Sequence, residues 1–180
     1  MRAAKAARYD VTRIAQNRAE NRAAKAARYG VTITIMTDFL RVAIDEAEQG
    51  LREGGIPIGA VLVHGEEILG RGHNRRVQRG SAILHAEMDA LENAGRQPAH
   101  VYERCVMYTT LSPCAMCSGA ILLYGIRRVI VGENRTFVGE EDLLRSRGVS
   151  IEVVQNRTCI ELMSRFIREH PQLWNEDIGA

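Results

Sequence analysis

No apolar run in the sequence reaches the roughly 18 residues that a membrane-spanning helix needs, so a soluble chain is expected. There are only four cysteines, Cys105, Cys114, Cys117 and Cys159, and no secretory signal peptide. That combination points to a reducing compartment, the cytoplasm or also the nucleus in a eukaryote, where thiols pack in cores or ligate metals rather than form disulfides. Positive charge is scarce where a polyanion would need it. Residues 1–30 carry eight Lys or Arg against Asp10 and Glu20, a net +6, while the remainder carries 16 basic and 20 acidic side chains, a net −4. Tryptophan occurs once, at Trp174, close to a terminus that would ordinarily fray.

What is present divides at about Met36. The segment RAAKAARYDVT at 2–12 returns as RAAKAARYGVT at 22–32, a basic repeat whose apolar stripe is mostly alanine. Such a stripe buries little, so residues 1–36 are expected to be a poorly packed extension. Residues 37–180 are expected to form one domain, since a chain of 180 residues suits a single core. Thr37 caps an expected amphipathic helix with apolar Phe39, Leu40, Ala43, Ile44, Ala47 and Leu51. IPIGAVLVHGEEILGRGHN reads as a β-hairpin about HGEE, and LHAEMDALENAG reads as a helix. CVMYTTL and RRVIVGE follow as strands around the helix SPCAMCSGAILLYG; then come a short helix at 140–147, the strand SIEVVQ and the helix TCIELMSRFIREH, stopped by Pro171. The alternation predicts a three-layer α/β/α sandwich with a mixed five-stranded sheet, antiparallel at first and largely parallel later.

Three stretches carry chemistry: HAE with His85 and Glu87, PCAMC with Cys114 and Cys117, and GHN with His73 and Asn74. Ser112 as helix cap with Pro113 at the first helical position places both cysteines on nearly one face of a first turn, where the helix dipole favours thiolate. His85 adds a third ligand for Zn²⁺ and leaves the fourth tetrahedral position open, as in catalytic rather than structural sites. His73 is the best candidate for a fourth protein ligand if the site is instead structural. Cys105 and Cys159 sit in apolar patterns, as core cysteines do. Two thiolates offset the metal charge and weaken its pull on a water proton, so a base is needed. Glu87 serves only if His85 and Glu87 stand at a helix start, because residues two apart on a regular helix diverge. Otherwise it is a solvated first-turn acid.

The H-x-E and P-C-x-x-C pair is the signature of the zinc deaminases. Together with EGGIPIGAVL, GRGHN, LENAGR, YTTLSPCAMCSGAI, VGEN before Phe137, and PQLWNEDIG, it makes residues 37–180 resemble the cytidine/deoxycytidylate deaminase superfamily, and within it the fungal-type zinc-dependent cytosine deaminases. The resemblance implies hydrolysis of free cytosine to uracil and ammonia in pyrimidine salvage, a hydrolase reaction on a C–N bond of a cyclic amidine. It implies zinc-hydroxide attack at C4 with Glu87 as proton shuttle. Asn74 and the Ala86 N–H bind the ring edge, with Ala86 standing where close relatives have glycine. The Ser112 carbonyl and Asp177 meet the amine side, Phe137 and Trp174 cover the ring, and Ile58 is an apolar wall. A homodimer is expected, through the SGAILLYG helix if that face is not monomer core; neither a membrane nor nucleic acid is an expected partner. Two alternatives share the motifs, a tRNA adenosine deaminase and a deaminase of another free base such as guanine. The first characteristically has EPC where this chain has SPC, and it requires a basic surface that the body lacks. A zinc module without catalysis has no use for Glu87.

Overall fold

The structure is a computed structural model that describes residues 32–179. The expectation of a poorly packed arm falls, as far as residue 31, outside the described residues. The chain divides into two units, Met1–Thr37 and Asp38–Ala180. Helix α1 runs over Thr32–Arg52 and passes through Thr37, the expected cap, because no Gly or Pro at 32–36 interrupts it. Leu40, Ala43, Ile44 and Ala47 are buried at the 3–4 spacing of an amphipathic helix.

The sheet has five strands, β1 Gly59–His64, β2 Glu67–His73, β3 Cys105–Leu111, β4 Arg128–Glu133 and β5 Ser150–Val153. They lie in the order β2-β1-β3-β4-β5, with β1 antiparallel to both β2 and β3 and the remaining pairs parallel. The expected mixed sheet is therefore present. Helices follow in chain order as α2 Arg76–Arg79, α3 Ala86–Ala94, α4 Ala99–Tyr102, α5 Ala115–Leu123, α6 Glu141–Ser146, α7 Arg157–Glu169 and α8 Pro171–Ile178.

Both faces of the sheet are covered, and two glycines set the spacing. A Cβ on Gly59 would strike the Ala43 carbonyl of α1, and one on Gly70 would strike the Ala90 carbonyl of α3. Successive strand residues point to opposite faces, so α1 and α3 pack on opposite sides of the hairpin. Their backbones approach it more closely than any other residue would allow. On the α3 side Ala60, Leu62, Met107, Val129 and Val131 form a fully buried patch. The same alternation places Thr109, in register with Ala60 and Val131, on this face at the carboxyl end of β3. The site lies there, beside the switch from antiparallel to parallel pairing.

Helix α7 starts at an Asn156 cap, whose Oδ1 accepts from the N–H groups of Thr158 and Cys159 at 2.9 and 3.3 Å. It ends at Glu169, before Pro171, as expected. Pro171 also opens a further helix, α8, which the sequence pattern does not announce. Its missing N–H costs nothing at a first helical turn.

Candidate active site

Two helix starts build the metal-ligating group. His85 is the residue before α3, in extended backbone at φ −67° and ψ 166°, and Cys114 holds the same place before α5 at φ −68° and ψ 175°. Cys117 follows in the first turn of α5. His85 Nδ1 stands 3.4 Å from Cys114 Sγ and 3.7 Å from Cys117 Sγ. Tetrahedral zinc, with Zn–N of about 2.0 Å and Zn–S of about 2.3 Å, separates nitrogen and sulfur ligands by about 3.5 Å, so the donor set fits Zn²⁺. These three residues are the one such group among the described residues. The Cys114 thiol is drawn down to about 4 by a hydrogen bond with Cys117 above all, and also by His85, against the effect of burial. The positive ends of α3 and α5 both meet this negative centre.

The structure corrects the expected cap. Ser112 is three residues before the start of α5, and its hydroxyl donates to Glu141 Oε1 at 2.8 Å and accepts the Gly139 N–H at 3.0 Å. Ser-Pro resembles a cap followed by a first helical residue, but the helix begins later, at Ala115. Ser112 instead ties the end of β3 to the loop that carries Phe137.

Glu87 lies in the first turn of α3 as expected, and it is not a solvated acid. It is 3% exposed, and burial raises its pKa. Thr109 Oγ1 donates to its Oε1 at 2.8 Å. Thr109 falls within YTTLSPCAMCSGAI, but the sequence assigns it no role; its one signal there is a hydroxyl on the apolar face of CVMYTTL.

His85, Glu87, Ser112, Cys114, Ile58, Phe137, Trp174 and Asp177 line one narrow cavity, joined by Leu111 and Ile178. Helix α8 closes it. Trp174, 5% exposed, stands edge-on to Phe137 with ring centroids 5.8 Å apart. Asp177 approaches His85 Nε2 at 3.8 Å and accepts from Asn74 Nδ2 at 3.0 and 3.1 Å. Asn74 and Ala86 are fully buried beside the lining residues rather than among them. Cys117 is likewise fully buried.

His73 is not a ligand. Its Nδ1 is 3.0 Å from Glu46 and its Nε2 is 2.9 Å from Glu53, so both ring nitrogens are engaged on the α1 side of β2. Burial alone would lower its pKa, and the hydrogen bonds to Glu46 and Glu53 outweigh this and raise it, with Arg75 opposing. Asp89 faces its backbone N–H at 3.2 Å. A raised folded-state pKa contributes stability in full below the unfolded value of about 6.5 and loses it as pH rises through the folded value. Urea midpoints are therefore expected to fall as pH rises above about 6.5 in the native chain, and to fall less in His73→Gln. Equal slopes in the two proteins would remove His73 as the cause.

Cys105 and Cys159 are core residues, with burial raising their thiols to about 11 and about 12. All four cysteines are free. Cys117→Ser is expected to weaken zinc affinity by more than about 100-fold, since changes outside the ligand shell alone cost about 10- to 100-fold. Metal content and activity, measured on one sample, should fall together; full zinc occupancy would exclude Cys117 from the ligands.

Residues 34–133 match the family described as the cytidine and deoxycytidylate deaminase zinc-binding region, and the chain belongs to that family. It is 56% identical over 141 residues to the cytosine deaminase of Candida albicans, covering 78% of this chain and 94% of that one. A tRNA-specific adenosine deaminase of Streptococcus pyogenes is 38% identical over 143 residues, covering 74% of this chain and 90% of that one. Among solved structures, a guanine deaminase from Nitrosomonas europaea superposes with a TM-score of 0.55 at 20% identity, covering 71% of this chain and 82% of that one. At that identity the likeness shows the fold. No helix among the described residues is long and apolar enough to cross a membrane.

Proposed function

We propose that residues 37–180 form a zinc-dependent deaminase that converts free cytosine and water to uracil and ammonia. The observation that carries the reading is the lining of one narrow cavity: α8 lays Trp174, Asp177 and Ile178 beside His85, Glu87 and Cys114, which sets an aromatic cover and a carboxylate against the metal-ligating group. Identity of 56% to a cytosine deaminase supports it independently. His85, Cys114 and Cys117 would hold the zinc, which would supply an activated water at neutral pH. Glu87 would take one proton from the water that adds to C4 and deliver it to ring N3, then carry the remaining proton of that oxygen to the amine as the C4–N bond breaks and ammonia leaves. Its raised pKa suits it to both transfers. Thr109 Oγ1 donates to one carboxylate oxygen and so fixes the orientation of the group at the cavity. Asn74 and the Ala86 N–H pair with the O2 and N1 edge, and the Ser112 carbonyl and Asp177 meet the amine. Phe137 and Trp174 cover the ring beside Ile58.

Ammonia release from cytosine, adenine, guanine, cytidine and a tRNA anticodon stem-loop tests the choice of substrate. Release from cytosine is expected, and release from the stem-loop alone would overturn it. Pyrimidine salvage in a reducing compartment such as the cytoplasm is the setting that fits. A homodimer is proposed through α5, where Leu123 is 79% exposed beside the half-exposed Tyr124, next to a groove lined by Met88, Leu91 and Tyr102. Light scattering decides the oligomeric state.

A further inference from the structure

We propose that Arg76 is the latch of the C-terminal lid, a positioning residue that holds α8 over the cavity without touching the base. The inference rests on the cytosine-deaminase reading for its kinetic consequence and on the geometry alone for the latch. Helix α8 has eight residues, too few to be stable by its own backbone bonds, so contacts must hold it in place. On one side Trp174 packs against Phe137. On the other, Arg76 Nη1 donates to Asp177 Oδ1 at 2.8 Å and to the Glu176 carbonyl at 3.2 Å.

The second of these contacts takes up one of the carbonyls that the end of a helix leaves unpaired, and it places a cation at the negative end of the helix dipole. The first neutralises a carboxylate whose side chain is 3% exposed. An Arg76 Nε that is buried without a partner leaves the lid contacts as what fixes this guanidinium. Asp177 has one other hydrogen-bond partner, the Asn74 amide, and His85 Nε2 stands farther off at 3.8 Å. Asn74 must also serve the base edge, so a bound base competes with the lid for that amide. Arg76 lies outside the cavity lining, and the base makes no claim on it. It is therefore the contact that keeps α8 closed while Asn74 turns to the substrate. The backbone N–H of Arg76 donates to Asn74 Oδ1 at 3.0 Å, so one residue steadies both the amide and the lid.

Loss of the guanidinium leaves Asp177 buried and only half satisfied, which favours an open lid where water reaches it. Trp174 is the only tryptophan in the chain and reports this directly. In the zinc-loaded full-length Arg76→Ala, acrylamide is expected to quench Trp174 more readily than in the native protein. Arg76→Lys should fall between, as a single ammonium in place of a forked donor. Arg79→Ala, an exposed position on the same short helix, should match the native protein. The KM for cytosine should rise by roughly tenfold in Arg76→Ala while kcat holds or increases, because an open lid binds weakly and releases product quickly.

Unchanged quenching in Arg76→Ala overturns the latch, and so does a fall in kcat at constant KM, which would place Arg76 in the chemistry instead. If Arg76→Ala does not fold, intermediate quenching in Arg76→Lys supports the latch in its place, and native quenching there overturns it. Quenching is read without substrate, so it decides the latch even if cytosine is not turned over, an outcome that overturns only the proposed reaction.

Discussion

Glu87→Gln is expected to keep its zinc and lose kcat by about 10²- to 10⁴-fold, the range that a positioned general acid–base supplies. The substitution is close to isosteric, and the amide oxygen still accepts from Thr109, so the packing of α3 on β3 has no reason to change. The group that can hold the metal, His85, Cys114 and Cys117, is untouched, so the metal is expected to stay in place. Only the ability to take and return a proton disappears. Burial raises the pKa of Glu87, which means that the folded protein holds this group ionised only against a penalty. A neutral amide removes that penalty, so the thermal midpoint of Glu87→Gln should equal or exceed that of the native chain. Stability gained where function is lost is what a strained catalytic group predicts. Zinc analysis, ammonia release and a thermal melt on one sample test all three statements, and an unchanged rate would remove Glu87 from the mechanism.

The parts of this site that are legible in the sequence are those set by short spacings. His85 and Glu87 flank one residue at a helix start, and Cys114 and Cys117 fall within one turn, so the motif fixes their mutual geometry almost alone. The sheet is legible for a similar reason. The hairpin shows as two short β-rich runs about HGEE, and strand-helix alternation after β3 dictates parallel crossovers.

What is not legible depends on distant contacts or on an ambiguous local signal. Arg76 meets Asp177 across 101 positions and Thr109 meets Glu87 across 22, and neither pairing leaves a mark in local composition. The Ser-Pro pair at 112–113 fits a helix start, yet the Ser112 hydroxyl is drawn to Glu141, a distant residue that no motif connects to it. His73 beside Asn74 in GHN is near enough in sequence to suggest a ligand. Strand alternation turns it to the α1 face, where Glu46 and Glu53 take both nitrogens. Pro171 reads as the end of a helix, and it is also a favoured first residue of the next.

That next helix carries the second large effect. Cutting the chain after Pro171 removes Trp174 and Asp177, and cytosine turnover is expected to fall below detection while zinc remains bound. The proposed metal ligands lie at the starts of α3 and α5 and none is lost. The cavity, however, loses the Trp174 ring, the Asp177 carboxylate and the Ile178 wall together. A base small enough for this site has few atoms with which to bind, so enclosure of its faces must supply much of the affinity. Without α8 the Glu87 carboxylate is no longer kept from bulk water, and the burial that raises its pKa weakens with it. The truncation therefore acts on binding and on proton transfer at once. Some stability is lost as well, since removing a buried tryptophan side chain typically costs about 3–5 kcal/mol. A Trp174→Phe variant separates the two contributions, because it keeps the helix, the Asp177 contacts and an aromatic cover. It should retain zinc and most of kcat with a raised KM. If the truncated protein kept full activity, α8 would be a packing element only, and the enclosure that distinguishes a free-base site from a polymer site would have to come from somewhere else in the fold.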